Sequence, residues 1–169
     1  QALRAAEGGA AFDVTAPQLD TSRVVALRAG AEVPGGLAAA MAVPLAQARA
    51  AYLEARPEVV VGSSFGGARL LWPAHEPVWR AETAAVFLAQ AGIRLTEHTA
   101  LPTGLRAVLV HGDGDAVIPV DDSRRLAAGG AGAVYVEVHD DHRLKAVTQS
   151  GMLTALVRLA RTLPVSAAG

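Results

Sequence analysis

The chain has 169 residues, a net charge of −1, 51% hydrophobic and 18% charged residues, the profile of a globular protein with a real core rather than a disordered one. No basic block points to nucleic acid or an anionic membrane surface, and no apolar run reaches the 18 or so residues of a membrane span. Cysteine is absent, which excludes thiol catalysis, Cys-ligated zinc and a disulfide framework.

In chain order, residues 2–7 read as the end of a helix closed by Gly8-Gly9. Residues 11–16 read as a short strand stopped by Pro17, and residues 24–28 as a second extended piece. Pro34-Gly35-Gly36 marks a turn. Residues 37–56 are helix-prone, with Pro44 kinking or restarting the helix and Pro57 ending it. Residues 59–61 form a buried strand, and residues 65–71 a helix cut short by Pro73. Residues 81–91 predict another helix, capped by Gly92. Residues 106–110 are a strand, 121–128 a helix with an acidic start, and 133–138 the last strand. Residues 144–163 predict one long amphipathic helix with Leu153, Leu156, Val157, Leu159 and Ala160 on its apolar face. Strands alternating with helices imply a single α/β domain, a mainly parallel sheet covered by helices on both faces, with chemistry at the carboxyl ends of the strands.

Three polar groups follow predicted strands. Gly62-Ser63-Ser64-Phe65-Gly66 fits G-x-S-x-G, a sharp strand-to-helix turn that exposes a serine hydroxyl and leaves no room for side chains at the flanking glycines. Asp115 lies in the Gly/Asp-rich loop His111-Gly112-Asp113-Gly114-Asp115, and His142 in His139-Asp140-Asp141-His142. The order Ser, Asp, His suits a serine nucleophile, with His142 as its base and Asp115 orienting the imidazole. The backbone N–H of Phe65 is the expected oxyanion donor. Such chemistry needs no metal and no organic cofactor.

Asp113 competes for the acid role and reads better as a loop-capping residue. His139 competes with His142. His111, Asp113, Asp115, His139 and His142 together lack the spacing of a known zinc motif, and Gly67-Ala68-Arg69 lacks the lysine of a phosphate-binding loop. His75 and His98 read as isolated, exposed residues, and Trp72 and Trp79 as packing residues bordering a Pro-rich loop.

These motifs resemble those of a small, lidless α/β-hydrolase of the serine esterase type, similar to the compact bacterial YqiA-like and dienelactone-hydrolase-like branch. The resemblance is carried by the Gly-Ser-Ser-Phe-Gly-Gly elbow, the His-Gly-x-x-Asp-x-x-Ile-Pro acid loop and the Asp-His-Arg-Leu histidine loop. It implies cleavage of small carboxylic esters or thioesters through an acyl-serine, on a small-molecule substrate in a cytoplasmic setting. Arginine in place of lysine (Lys145 is the only Lys) and abundant alanine fit a GC-rich bacterial source. The family's first strand, ending in a His-Gly loop that gives the second oxyanion donor, has no counterpart here. A missing N-terminal stretch is expected, or else residues 24–28 fill that place in the sheet. Without that loop, the other expectation is an α/β-hydrolase-like protein that binds a ligand or partner without turnover.

Overall fold

The computed structural model describes residues 12–165, so the predicted helix at 2–7 lies outside the described residues. The chain forms two compact units, a helical one over Thr15–Arg56 and one that holds the sheet. In the helical unit, α1 (Ser22–Arg28) packs on α2 (Gly36–Ala55). The Asp20 carboxylate accepts the Ser22 N–H at 2.9 Å, so the Val-Val stretch predicted as extended is helical and cannot supply a strand. Two adjacent valines are too short a signal to outweigh a local Asp-to-backbone turn of this kind. Pro34-Gly35 does form the turn before α2. Pro44 sits inside α2 without dividing it, and the helix ends at Arg56, in a left-handed conformation, before Pro57.

The sheet unit contains β1 (Val59–Ser63), α3 (Phe65–Ala74), β2 (Ala84–Leu88), α4 (Gly92–Leu95), β3 (Ala107–Gly112), α5 (Val120–Ala128), β4 (Val134–Val138), α6 (Lys145–Gln149) and α7 (Met152–Thr162). Among the described residues the four strands are all parallel and stand in the order of the sequence, β1-β2-β3-β4. Residues 12–16 form no strand, and β1 is an edge of the sheet among the described residues, which leaves it half-buried rather than buried as predicted.

Side-chain alternation divides the sheet into two apolar layers. Val59, Val61, Ala84, Val86, Leu88, Val108, Val110, Val134 and Val136 face α6 and α7, where Val147, Leu153, Leu156, Val157 and Ala160 close one layer. Val60, Ala85, Phe87, Ala107, Leu109 and Tyr135 face α3 and α5, where Leu70, Leu71 and Leu126 close the other. This is the expected α/β architecture, with helices on both faces.

Three elements differ from expectation. Residues 81–91 contain β2 instead of a helix. As a central strand it is buried on both faces, so its residues show no period of two, and its alanines mimic helix propensity. Helix α3 runs through Pro73 to Ala74. The long C-terminal helix is broken into α6 and α7 at Ser150-Gly151, where Gly151 has φ 78°. Leu159, placed on the apolar face by the sequence pattern, is 38% exposed. Among the described residues no helix is long and apolar enough to cross a membrane.

Phe87 is the largest fully buried side chain of β2. Phe87→Ala is expected to lower unfolding free energy by about 3–5 kcal/mol, read as a lower urea midpoint with unchanged slope.

Candidate active site

The site is built at the carboxyl ends of β1, β3 and β4. Ser64 follows β1 directly and precedes α3, with φ 50° and ψ −116°, a conformation that strains any residue but glycine. Backbone hydrogen bonds hold it there. Its N–H donates to Leu88 O at 2.8 Å, and its carbonyl accepts from Gly67 N–H at 2.9 Å and Ala91 N–H at 3.1 Å. A Cβ on Gly62 would lie 2.6 Å from Gly66 O, so this elbow glycine is sterically required. Gly66 is different. A Cβ there meets nothing within 4 Å, against the expectation that both flanking positions are closed.

Asp115 is brought to the site by the loop after β3, and His142 by the loop after β4. The two loops touch through glycine. Asp113 N–H donates to Val138 O and Gly114 N–H to Asp140 O, at 2.9 and 3.1 Å. A Cβ on Gly112 would come within 2.3 Å of Asp140 O, so any side chain there would push the histidine loop away. Asp140 and Asp141 brace this loop through backbone hydrogen bonds. Asp140 accepts the N–H groups of Asp141 and Ala146, and Asp141 that of Arg143. Leu144, in a left-handed conformation and 2% exposed, anchors the loop in the core.

These supports bring the three predicted groups into one row. Ser64 Oγ lies 2.9 Å from His142 Nε2, and His142 Nδ1 lies 2.7 Å from Asp115 Oδ2. With carboxylate on one side, Nδ1 carries the proton and Nε2 accepts from the serine hydroxyl. The Asp115 side chain is fully buried, and that of His142 is 21% exposed. Burial alone would raise the Asp115 pKa. The Ile118 N–H, the His142 ring and the Val117 N–H outweigh it and hold the carboxyl below the usual range.

The alternative pair is excluded from this row. Asp113 and His139 bind each other at 3.1 Å in solvent, which lowers the Asp113 pKa and raises that of His139, in each case chiefly through this hydrogen bond. Phe65 is the first residue of α3, where a backbone N–H has no intrahelical acceptor. The Arg69 guanidinium lies over its ring, 4.2 Å from the centroid. Away from the row, His75 and His98 are stacked at 3.7 Å rather than isolated. Trp72 meets His98 edge-on, while Trp79 packs on the α3 side of the sheet. Among the described residues no group of three or more His, Cys, Asp or Glu side chains is arranged to hold a metal ion.

Sequence reasoning missed three buried residues around Asp115. His111 enters the sequence reading as the first residue of the acid-loop motif and as a possible metal ligand, but its contact with Asp115, four residues on, is not anticipated. Ser123 and Gln90 carried no signal at all, and Gln90 lay in a segment predicted as helix.

No family model and no curated protein matches the chain. A solved structure from Xanthomonas campestris pv. campestris, assigned to the hydrolases of the alpha/beta superfamily, is similar in fold. Its TM-score is 0.54 at 25% sequence identity, covering 83% of this chain and 87% of that one. The fold of the chain is that of an α/β-hydrolase.

Two outcomes follow from the site's physics. Glycine relieves the strain at position 64 and alanine keeps it, so Ser64→Gly should exceed Ser64→Ala in stability by about 1 kcal/mol after glycine's entropic cost, as read by urea unfolding. The Asp115 pKa is depressed on folding, so its contribution is present above the unfolded carboxylate range and lost as pH falls through the folded value. Acid titration of unfolding should therefore show a shallower loss of stability in Asp115→Asn than in the parent.

Proposed function

We propose that the protein is a serine hydrolase of small carboxylic esters or thioesters, working through an acyl-serine intermediate. The observation that carries this reading is the unbroken row Ser64 Oγ, His142 Nε2, His142 Nδ1 and Asp115 Oδ2, at 2.9 and 2.7 Å. The designation of the Xanthomonas relative as a hydrolase points the same way. The three motifs also resemble those of the compact, lidless YqiA-like and dienelactone-hydrolase-like branch, and we place the chain there as part of this proposal.

In this mechanism the Ser64 hydroxyl transfers its proton to His142 Nε2 as its oxygen attacks the substrate carbonyl. Asp115 keeps the imidazole in the required tautomer and stabilises the imidazolium that forms. The Phe65 N–H, directly after the nucleophile, donates to the developing oxyanion. His142 then gives its proton to the departing alkoxide or thiolate, leaving Ser64 acylated. Water, deprotonated by the same nitrogen, attacks the ester and regenerates the serine. Strain at Ser64 serves this chemistry by presenting Oγ to the histidine in the resting protein, so that no rearrangement precedes attack.

A fluorophosphonate should label Ser64 in the native chain, and p-nitrophenyl acetate should give a burst of p-nitrophenol. Ser64→Ala should abolish both, and Asp115→Asn should lower kcat by about 10²–10⁴-fold. Absence of Ser64 labelling in the folded parent would sink the reading.

A further inference from the structure

Asp115 Oδ2 receives a second imidazole. His111 Nε2 lies 3.0 Å from it, and the His111 ring is fully buried. The same nitrogen lies 3.0 Å from Ile118 O, so both groups facing it are acceptors. On its other side, His111 Nδ1 lies 2.7 Å from Ser123 Oγ. Ser123 Oγ is 3.3 Å from Gln90 Nε2, and Gln90 Oε1 accepts the Gly92 N–H. Gln90, Ser123 and His111 are all 0% exposed.

The directions in this row are set at its two ends. A backbone N–H can only donate, so Gln90 must turn Oε1 to Gly92 and its amide N–H to Ser123. At the other end, His111 Nε2 faces only acceptors, Asp115 Oδ2 and Ile118 O, so it carries the His111 proton. With the ring neutral, Nδ1 then accepts from the Ser123 hydroxyl. The carboxylate is filled on all sides: Oδ1 accepts from Val117 and Ile118 N–H at 2.8 and 2.9 Å, and Oδ2 from both histidines.

The far end is tied back to the nucleophile. Ala91, next to Gln90, donates its N–H to Ser64 O at 3.1 Å. A Cβ on elbow residue Gly67 would lie 2.6 Å from Gln90 Cβ, so this glycine makes room for the glutamine. Outside the ring, Arg94 pairs with Asp122 at 2.6 Å and fastens α4 to α5 beside the Gln90–Ser123 contact.

We infer that His111 is a positioning residue for the proposed hydrolysis, orienting Asp115 through an Nε2–H fixed by Ser123 and Gln90; the inference rests on the serine-hydrolase reading. His111 touches no substrate. It donates to the oxygen that also serves His142, withdrawing negative charge from that oxygen and holding it in line. Removing the donor leaves a more basic carboxylate, which favours protonated His142 and shifts the onset of activity to higher pH. Besides Asp115, the charged groups on the two loops that carry this pair are Asp113 with His139, and Asp140, Asp141 and Arg143.

Two measurements on the full chain test this. With ring-¹⁵N histidine, the His111 nitrogens of the parent should report the Nε2–H tautomer. A proton on Nδ1, or on both nitrogens, would overturn the inference, and no variant needs to fold for this result. In p-nitrophenyl acetate hydrolysis, His111→Leu should lower kcat by about tenfold with little change in KM. Its acid limb should move up by about half to one pH unit. His111→Gln, whose terminal amide can donate from nearly the same place, should bring the limb back to the parent position. Identical pH profiles for Leu and Gln variants would refute the positioning role. Because the tautomer is read without substrate, failure of Ser64 labelling would sink the hydrolase reading separately.

Discussion

One carboxylate oxygen, Asp115 Oδ2, lies between two imidazole rings, 2.7 Å from His142 and 3.0 Å from His111. A buried carboxylate is tolerable only when its charge is met by donors, and here two backbone N–H groups and two histidines meet it. Much of the site's construction serves that requirement. The loop after β3 has to curl so that Val117 and Ile118 point inward. The loop after β4 has to lie against it, which Gly112 permits. Once both loops are docked, His142 has little freedom, and Ser64 is presented to its remaining nitrogen.

The sheet makes the docking possible. Four parallel strands in sequence order place three loops on one edge, spaced by neighbouring strands about 4.8 Å apart. Central strands β2 and β3 are buried on both faces and give the loops a rigid base. Strain at Ser64 is stored against that base through Leu88, Gly67 and Ala91. A serine on a flexible loop could not hold such a conformation, because the backbone would relax.

The row of Ser64, Asp115 and His142 was legible in the sequence because its supports are local. Glycines beside a β-branched run announce a sharp turn, and each polar group follows a strand with clear apolar character. The same logic misread residues 81–91. A five-residue strand buried on both faces has no alternation, and Ala84-Ala85 resembles helix in an alanine-rich chain. That error also hid Gln90, whose role depends on its position just past the end of β2. Ser123 was invisible for a related reason: a serine in the first turns of a helix is ordinary until the facing strand is known. Residues 24–28 and the break at Gly151 show the limits of short windows, where a local Asp20–Ser22 turn or one left-handed glycine decides the outcome.

The sequential strand order also sets a timetable. Ser64 and its elbow belong to the first strand and Asp115 to the third, but His142 arrives only after the fourth. During synthesis the hydroxyl therefore emerges well before the imidazole that faces it. A chain halted before β4 would carry the serine and the carboxylate without their intermediary. The Ser64–His142 hydrogen bond cannot form until the last strand has paired with β3 and its loop has closed over Gly112. On the proposed mechanism, reactivity at Ser64 would therefore require the completed sheet.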